Sequence, residues 1–378
     1  MIAIASGTRA DWGLLMPLAR TLRASGCEVS VIATYMHLMK DMGHTVDEIT
    51  ADGFGPAACV DTPRRPAEAT GAATAGFAKV LRAMNPSCLI ILGDRFEMLG
   101  AATAALLEQV PVVHIAGGTV SEGAFDDSIR NAISQLASLH LPETELCAQR
   151  LVRMGIDKRR IAVCGAIGVW NALNTPLLSL QALQQDIDFN LGPRFILGTL
   201  HPATLDTIPP EEQMRVWLEA LERTIDNHPG VNVLLTYPNT DTDPAPLRKM
   251  LHAFESRRPD RVKVIDSLGR VRYLSAATLA AAVCGNSSSG IVEVPSTGTP
   301  VVDIGMRQQG RERSKAVIWS PLTVEAITES LTKALNQKSA RRASGTPNPY
   351  HRPATPQLMA DAILRFINFQ CSMFNVQL

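Results

Sequence analysis

The chain is poor in the features that announce secretion, membrane insertion or a structural metal. Its seven cysteines, Cys27, Cys59, Cys88, Cys147, Cys164, Cys284 and Cys371, are odd in number and scattered, with no C-x-x-C pair and no histidine at ligand spacing. A disulfide framework and a zinc site are therefore not expected; reduced, mostly buried thiols are. No run approaches the roughly eighteen unbroken apolar residues that a membrane helix needs. The first apolar run passes from Ser6 into Gly7-Thr8-Arg9 without the charged start, long apolar stretch and small-residue cleavage site of a signal peptide. The cytoplasm is the expected compartment. Neither sign of charge is in excess, since 36 Lys and Arg balance 36 Asp and Glu. Without a global field, nucleic acid and anionic membranes are not expected partners, and an anionic ligand must be held by local groups. The first strand-to-helix turn also lacks G-x-G-x-x-G, so nicotinamide and flavin lose their usual support and no cofactor is expected.

What the chain does have is length and apolar content. At 378 residues and 46% apolar composition it exceeds the size of one ordinary core, and two domains follow. Short apolar runs alternate with longer helical patterns, which is how a parallel sheet covered by helices reads in sequence, so the fold class is α/β. Strands are expected at Ile2–Ala5, Glu28–Ile32, Cys88–Leu92, Val112–Ile115 and Leu139–Leu141, with Ile161–Cys164 ending the set. A second series follows at Phe195–Thr199, Asn232–Leu235, Val262–Val264, Leu279–Val283 and Pro300–Asp303. The boundary falls near residues 165–192, where Asn174-Thr175-Pro176 and Gly192-Pro193 punctuate the chain, giving domains over 1–170 and 190–350. Asn336–Pro356 reads as a crossing loop before a final helix over Gln357–Phe369, within a C-terminal segment spanning 356–378.

Three groups of residues carry chemistry. Ser6-Gly7-Thr8-Arg9-Ala10-Asp11-Trp12-Gly13 lies where the first strand turns into a helix; glycine lets a ligand approach the backbone, and Arg9 is suited to phosphate. A purely structural turn fits the same pattern. Gly285-Asn286-Ser287-Ser288-Ser289-Gly290 follows a strand and precedes an apparent helix over Ile291–Pro295. Its hydroxyls and backbone N–H groups suit a diphosphate, with Glu293 placed to accept hydrogen bonds from a ribose; a capped helix and a solvated glutamate are the alternatives. The third group is Gly93-Asp94-Arg95-Phe96-Glu97, His114-Ile115-Ala116-Gly117-Gly118 and Glu122 to Arg130, gathered at strand ends. Neighbouring carboxylates there can be driven to different pKa values, as acid/base chemistry needs. Helix capping by Asp126 and Asp127, with Asp94 paired to an arginine, fits the spacing too. His201, after the strand Phe195–Thr199, sits at the matching edge of the second sheet, where a proton carrier or phosphate donor is as open as a structural role.

Taken in order, SGTRADWG, LGDRFE, HIAGG, EGAFDDSIRNAI, LHPATL, TYPNTDTD, GNSSSGIVEVPSTGTP and IGMRQQGRER resemble the hydrolysing UDP-N-acetylglucosamine 2-epimerases of sialic-acid and related nonulosonic-acid pathways. The resemblance implies two Rossmann-like domains facing a cleft, GT-B-like, with the C-terminal helix returning to the first. It implies removal of the sugar C2 proton as UDP leaves C1, then addition of water and release of the free 2-epimer. By motif, Asp94 and Asp126 are its acid/base candidates and His201 and Arg9 lie on the diphosphate side. Asn286, Ser287, Ser288, Gly290 and Glu293 hold phosphate and ribose, while His114, Arg130, Arg307 and Arg313 are further binding candidates. A UDP-linked 2-acetamido sugar is the implied partner, with a homo-oligomer, dimer or tetramer. The chain departs from the pattern in one respect: many members carry a glutamate directly after the His-Ile pair or after Gly-Gly, where this chain has Ala116 and Thr119. Glu122 is near enough in sequence to substitute as a catalytic carboxylate. Asn131 stands where a histidine is frequent.

Overall fold

In a parallel sheet each strand needs a crossover to reach the next, and here helices supply it. The computed structural model describes residues 1–120, 126–202, 207–238, 245–344 and 347–375. Its strands are β1 (Ile2–Ser6), β2 (Val29–Thr34), β3 (Pro56–Val60), β4 (Leu89–Leu92), β5 (Val112–Ile115) and β6 (Leu139–Leu141) in one sheet. A second sheet holds β7 (Arg194–Thr199), β8 (Val231–Thr236), β9 (Val262–Ile265), β10 (Ala282–Gly285), β11 (Val301–Ile304) and β12 (Val317–Ser320). The spatial orders are β3-β2-β1-β4-β5-β6 and β9-β8-β7-β10-β11-β12, parallel at every pairing. Both chains of strands wind outward, return, and wind the other way. The reversal falls between β1 and β4 in one sheet and between β7 and β10 in the other, and ligands of such sheets bind outside the carboxyl ends at that point.

Two compact units result. The first comprises Met1–Thr119, Phe125–Trp170 and Arg352–Leu378; the second is chiefly Asn171–His351. In the first, the helix Arg9–Ala24 lays Trp12, Leu15, Leu18 and Leu22 on the sheet, and the helix Thr355–Asn375 adds Met359 and Ile363 to the same core. On the opposite face the helices Pro66–Met84 and Phe96–Leu107 pack through small residues, and a side chain at Gly100 would collide with the Thr70 carbonyl. The second unit encloses Trp217, Phe254, Val233 and Leu235 on one face of its sheet, and Phe195, Leu197 and Leu234 on the other. Among the described residues no helix is long and apolar enough to cross a membrane.

The α/β class and the two Rossmann-like sheets agree with the sequence reading, but several elements do not. Ile161–Cys164 forms only an isolated bridge from Ile161 to His140. Leu279 ends the helix Gly269–Leu279, and β10 starts at Ala282, because the alanine run after Leu279 has no strand preference of its own. The expected loop over Asn336–Pro356 begins inside the helix Val324–Ser344, and the final helix runs over Thr355–Asn375. β3 and β12 were not anticipated; each is a sheet edge.

Candidate active site

In the first unit Arg130 ties the ends of two strands together. It projects from the helix Asp126–Leu136, is 3% exposed, pairs with Asp94 and Asp127, and donates to the Thr119 carbonyl at 2.7 Å. Asp94 follows β4 directly, in a turn that Gly93 makes with φ 75°, and Thr119 follows β5. A buried guanidinium paired with two carboxylates holds both in place. Asp94 thus does pair with an arginine, one of the two possibilities its spacing left open. Asp126 opens the helix that carries Arg130. Glu122 lies outside the described residues, as do residues 203–205 of the LHPATL motif and 239–243 of the TYPNTDTD motif.

His114, expected among the binding residues, is buried on β5 with both ring nitrogens spent inside the protein. Nε2 lies 2.7 Å from the Gly93 carbonyl and Nδ1 lies 3.1 Å from the Ser134 hydroxyl. A carbonyl only accepts, so Nε2 carries the proton and Nδ1 accepts from Ser134. Burial lowers the His114 pKa to about 4, keeping the ring neutral. Through the Gly93 carbonyl, His114 positions the Gly93-Asp94 turn.

A second charged group, which the sequence reading did not assemble, lies at the β1/β4 reversal. Arg95 Nε donates to Glu97 Oε1 at 2.5 Å, and the Arg95 guanidinium lies near the rings of Tyr35 and Phe96. Glu97 is fully buried. Burial raises the pKa of both Asp11 and Glu97, against the lowering field of Arg95. Glu97 packs so close to Gly7 that a side chain there would force the Glu97 carboxylate to move. Both acids sit inside motifs quoted from the sequence, yet their meeting joins residues far apart in the chain. Arg9, by contrast, is half-exposed with Nη1 3.8 Å from Glu48 Oε1.

The second unit answers with amides and hydroxyls. The Asn286 side chain accepts from the His201 N–H and donates to the His201 carbonyl, each at 2.7 Å, clamping the β7 loop to the β10 loop across the reversal. The Asn286 carbonyl in turn accepts from Arg307 at 3.2 Å and Gln308 at 2.9 Å. Gly285, at φ 153°, presses against the Thr199 backbone where no Cβ has room. Ser287 occupies the N-cap position of the helix Ser288–Val292 without a side-chain capping bond, and Glu293 stands just past its end rather than within it. At five residues this helix has a small dipole, so what the loop offers an anion is hydroxyls and backbone N–H groups. Ser287 and Gly290 line a small pocket with Thr199, Tyr273 and Asp303. Tyr273, absent from the sequence reading, has its pKa pushed up to about 12 by burial. Arg313, expected among the binding residues, pairs with the buried Asp303 at 2.8 Å and braces that carboxylate. Among the described residues no cluster of His, Cys, Asp and Glu is arranged to hold a metal ion.

Two parallel sheets of this order, each with its polar residues at the strand reversal, define a two-domain α/β protein of GT-B-like fold. The chain belongs to the UDP-N-acetylglucosamine 2-epimerase family, whose model matches residues 20–364. It is 33% identical over 343 residues to the UDP-N,N'-diacetylbacillosamine 2-epimerase (hydrolyzing) of Legionella pneumophila, covering 89% of each chain. It is 32% identical over 327 residues to the GDP/UDP-N,N'-diacetylbacillosamine 2-epimerase (hydrolyzing) of Campylobacter jejuni, covering 85% of this chain and 84% of that one. Among solved structures, the UDP-GlcNAc 2-epimerase of Neisseria meningitidis bound to UDP-GlcNAc superposes with a TM-score of 0.74 at 17% identity, covering 96% of this chain and 99% of that one. The family expected from the ordered motifs is borne out.

Proposed function

We propose that the protein is a hydrolysing 2-epimerase acting on a UDP-linked 2-acetamido sugar, and that its substrate is the 2,4-diacetamido-2,4,6-trideoxy sugar nucleotide. The likeness to the hydrolysing Legionella and Campylobacter enzymes, over most of each chain, carries this reading. The second unit holds UDP through Ser287, Ser288, Gly290 and Glu293, with His201 and Asn286 fixing the loops around it. The first unit performs the proton chemistry. Arg130 orients Asp94, while Asp126 stands at the start of the helix that carries Arg130. The C2–H bond breaks, its electron pair becomes the C1–C2 double bond, and UDP leaves C1 with the pair of the C1–O bond. Water then gives its hydroxyl to C1, and a proton reaches C2 from the opposite face. One proton is released to solvent for each UDP formed.

NMR of the purified protein with UDP-N-acetylglucosamine and with the diacetamido-trideoxy sugar nucleotide in deuterated water tests the whole reading. The expected result is free 2-epimer carrying deuterium at C2, together with UDP, and faster with the second sugar. Accumulation of a UDP-linked 2-epimer would instead identify a non-hydrolysing reaction.

A further inference from the structure

The carboxylate missing from Ala116 and Thr119 has a counterpart in space. Ala116 adopts φ 64°, a left-handed conformation that costs a residue with a side chain, and its N–H donates to the Leu141 carbonyl at the end of β6. The chain after β5 is thereby turned towards β6. Gly118 packs so tightly on the Cys147 backbone that no Cβ fits there, and it delivers Thr119 to the β6 end. There the Thr119 hydroxyl donates to Glu143 Oε2 at 3.3 Å, while its carbonyl takes the Arg130 bond at 2.7 Å. Glu143, two residues past β6, is half-buried. One continuous set of contacts therefore runs from Asp94 through Arg130 and Thr119 to Glu143, along the carboxyl ends of β4, β5 and β6. Ligands of open parallel sheets are met at those ends.

We propose that Glu143 is a catalytic carboxylate of this enzyme, standing in for the glutamate whose place Thr119 occupies. This rests on the epimerase reading above and adds a residue to it. Glu143, ionised, takes the C2 proton as UDP departs, and later releases that proton to solvent; protonation of C2 on the opposite face falls to the Asp94 and Asp126 side. Thr119 holds the Glu143 carboxylate in place.

The test compares three variants of the full chain by solvent deuterium incorporation at C2, UDP release and calorimetric UDP affinity. Glu143→Gln keeps an oxygen for the Thr119 hydroxyl, so a merely structural Glu143 would survive it. The expected result is wild-type melting and UDP affinity with turnover and exchange down by about 10²-fold or more. Moving the carboxylate back, in Thr119→Glu with Glu143→Ala, recovers at least about tenfold over Glu143→Gln. Turnover of Glu143→Gln within about threefold of wild type overturns the proposal, as does a swapped variant no better than Glu143→Gln. Glu122→Gln is the competing arm: loss there, with Glu143→Gln active, assigns the role to Glu122 instead. A wild-type protein inert towards both sugar nucleotides fails the epimerase reading itself, and the assignment falls with it. An active wild type with an active Glu143→Gln fails the assignment alone.

Discussion

The two units are wound in the same strand order and place polar residues at the same topological point, yet they fill it with opposite chemistry. At β1/β4 and the neighbouring ends of β5 and β6, the first unit concentrates charge: Arg130 with Asp94 and Asp127, and Arg95 with Asp11 and Glu97. At β7/β10 the second unit relies on the Asn286 clamp and a serine-rich loop, with Asp303 and Arg313 as the buried ion pair beside them. In the proposed function the difference lets one architecture support two tasks: fold sets where a site lies, and side chains set what it does. Charge in low dielectric suits proton transfer, whereas neutral donors suit holding an already charged diphosphate without trapping it.

The sharpest way to break the comparison is to remove the first-unit carboxylates to which the proposed function gives the proton chemistry. Asp94→Asn and Asp126→Asn should each lower turnover by about 10²–10⁴ while leaving UDP affinity within error, read by steady-state kinetics and calorimetry. Near-wild-type turnover in either variant would reassign that aspartate to a structural role. Next in size is Arg130→Met, which leaves two carboxylates without their buried cation. It should cost about 3 kcal/mol of stability in denaturant unfolding, in addition to turnover. An unchanged midpoint would show that solvent already screens the pair.

Acid should separate the units further. Burial lowers the pKa of His37 and His114 to about 4 and of His140 to about 3, and all three belong to the first unit. Each folded pKa lies below the ordinary value of 6.5, so the unfolded chain binds more protons between the two. Their contribution is complete above pH 6.5 and is lost as pH falls through 6.5 towards 4. Melting followed by hydrogen exchange should show first-unit amides losing protection before second-unit amides over that window; simultaneous loss would contradict it. The smallest effect belongs to the second unit. Ser287→Ala with Ser288→Ala should weaken UDP by about 1–3 kcal/mol, measured by calorimetry, with the turnover of bound substrate little changed.

Much of the fold was legible because buried strands read as short, mainly apolar runs: Val112–Ile115 inside the first sheet and Leu139–Leu141 at its edge were located to the residue. What escaped lay at the sheet edges. β3 alternates between covered and open positions and starts at a proline, and β12 carries Trp319 at 45% exposure, so neither presents the uninterrupted apolar signature of a central strand. The helix over Val324–Ser344 was cut short because its polar end was read as loop, although lysine, arginine and alanine are good helix formers. At the site, residues next to glycine-rich turns were visible, but partnerships were not. Nothing local in Leu-Pro-Glu-Thr marks Glu143, since its neighbour Thr119 is distant in sequence; the rule that ligands gather at strand ends was the signal that could have found it. Asp11 and Glu97 illustrate the same blindness, being joined through Arg95 only once β1 and β4 lie side by side.

The return of the helix Thr355–Asn375 to the first core bears on the order in which the molecule is made. Met359 and Ile363 complete a cluster that includes Trp12, Leu15 and Leu18, residues synthesised before any of the second unit. All of Asn171–His351 leaves the ribosome before that helix does. The second unit is therefore free to fold during synthesis, while the first waits with an uncovered apolar face until the final segment emerges. A premature stop near residue 350 would spare the second unit and strand the first as a sticky, chaperone-dependent intermediate.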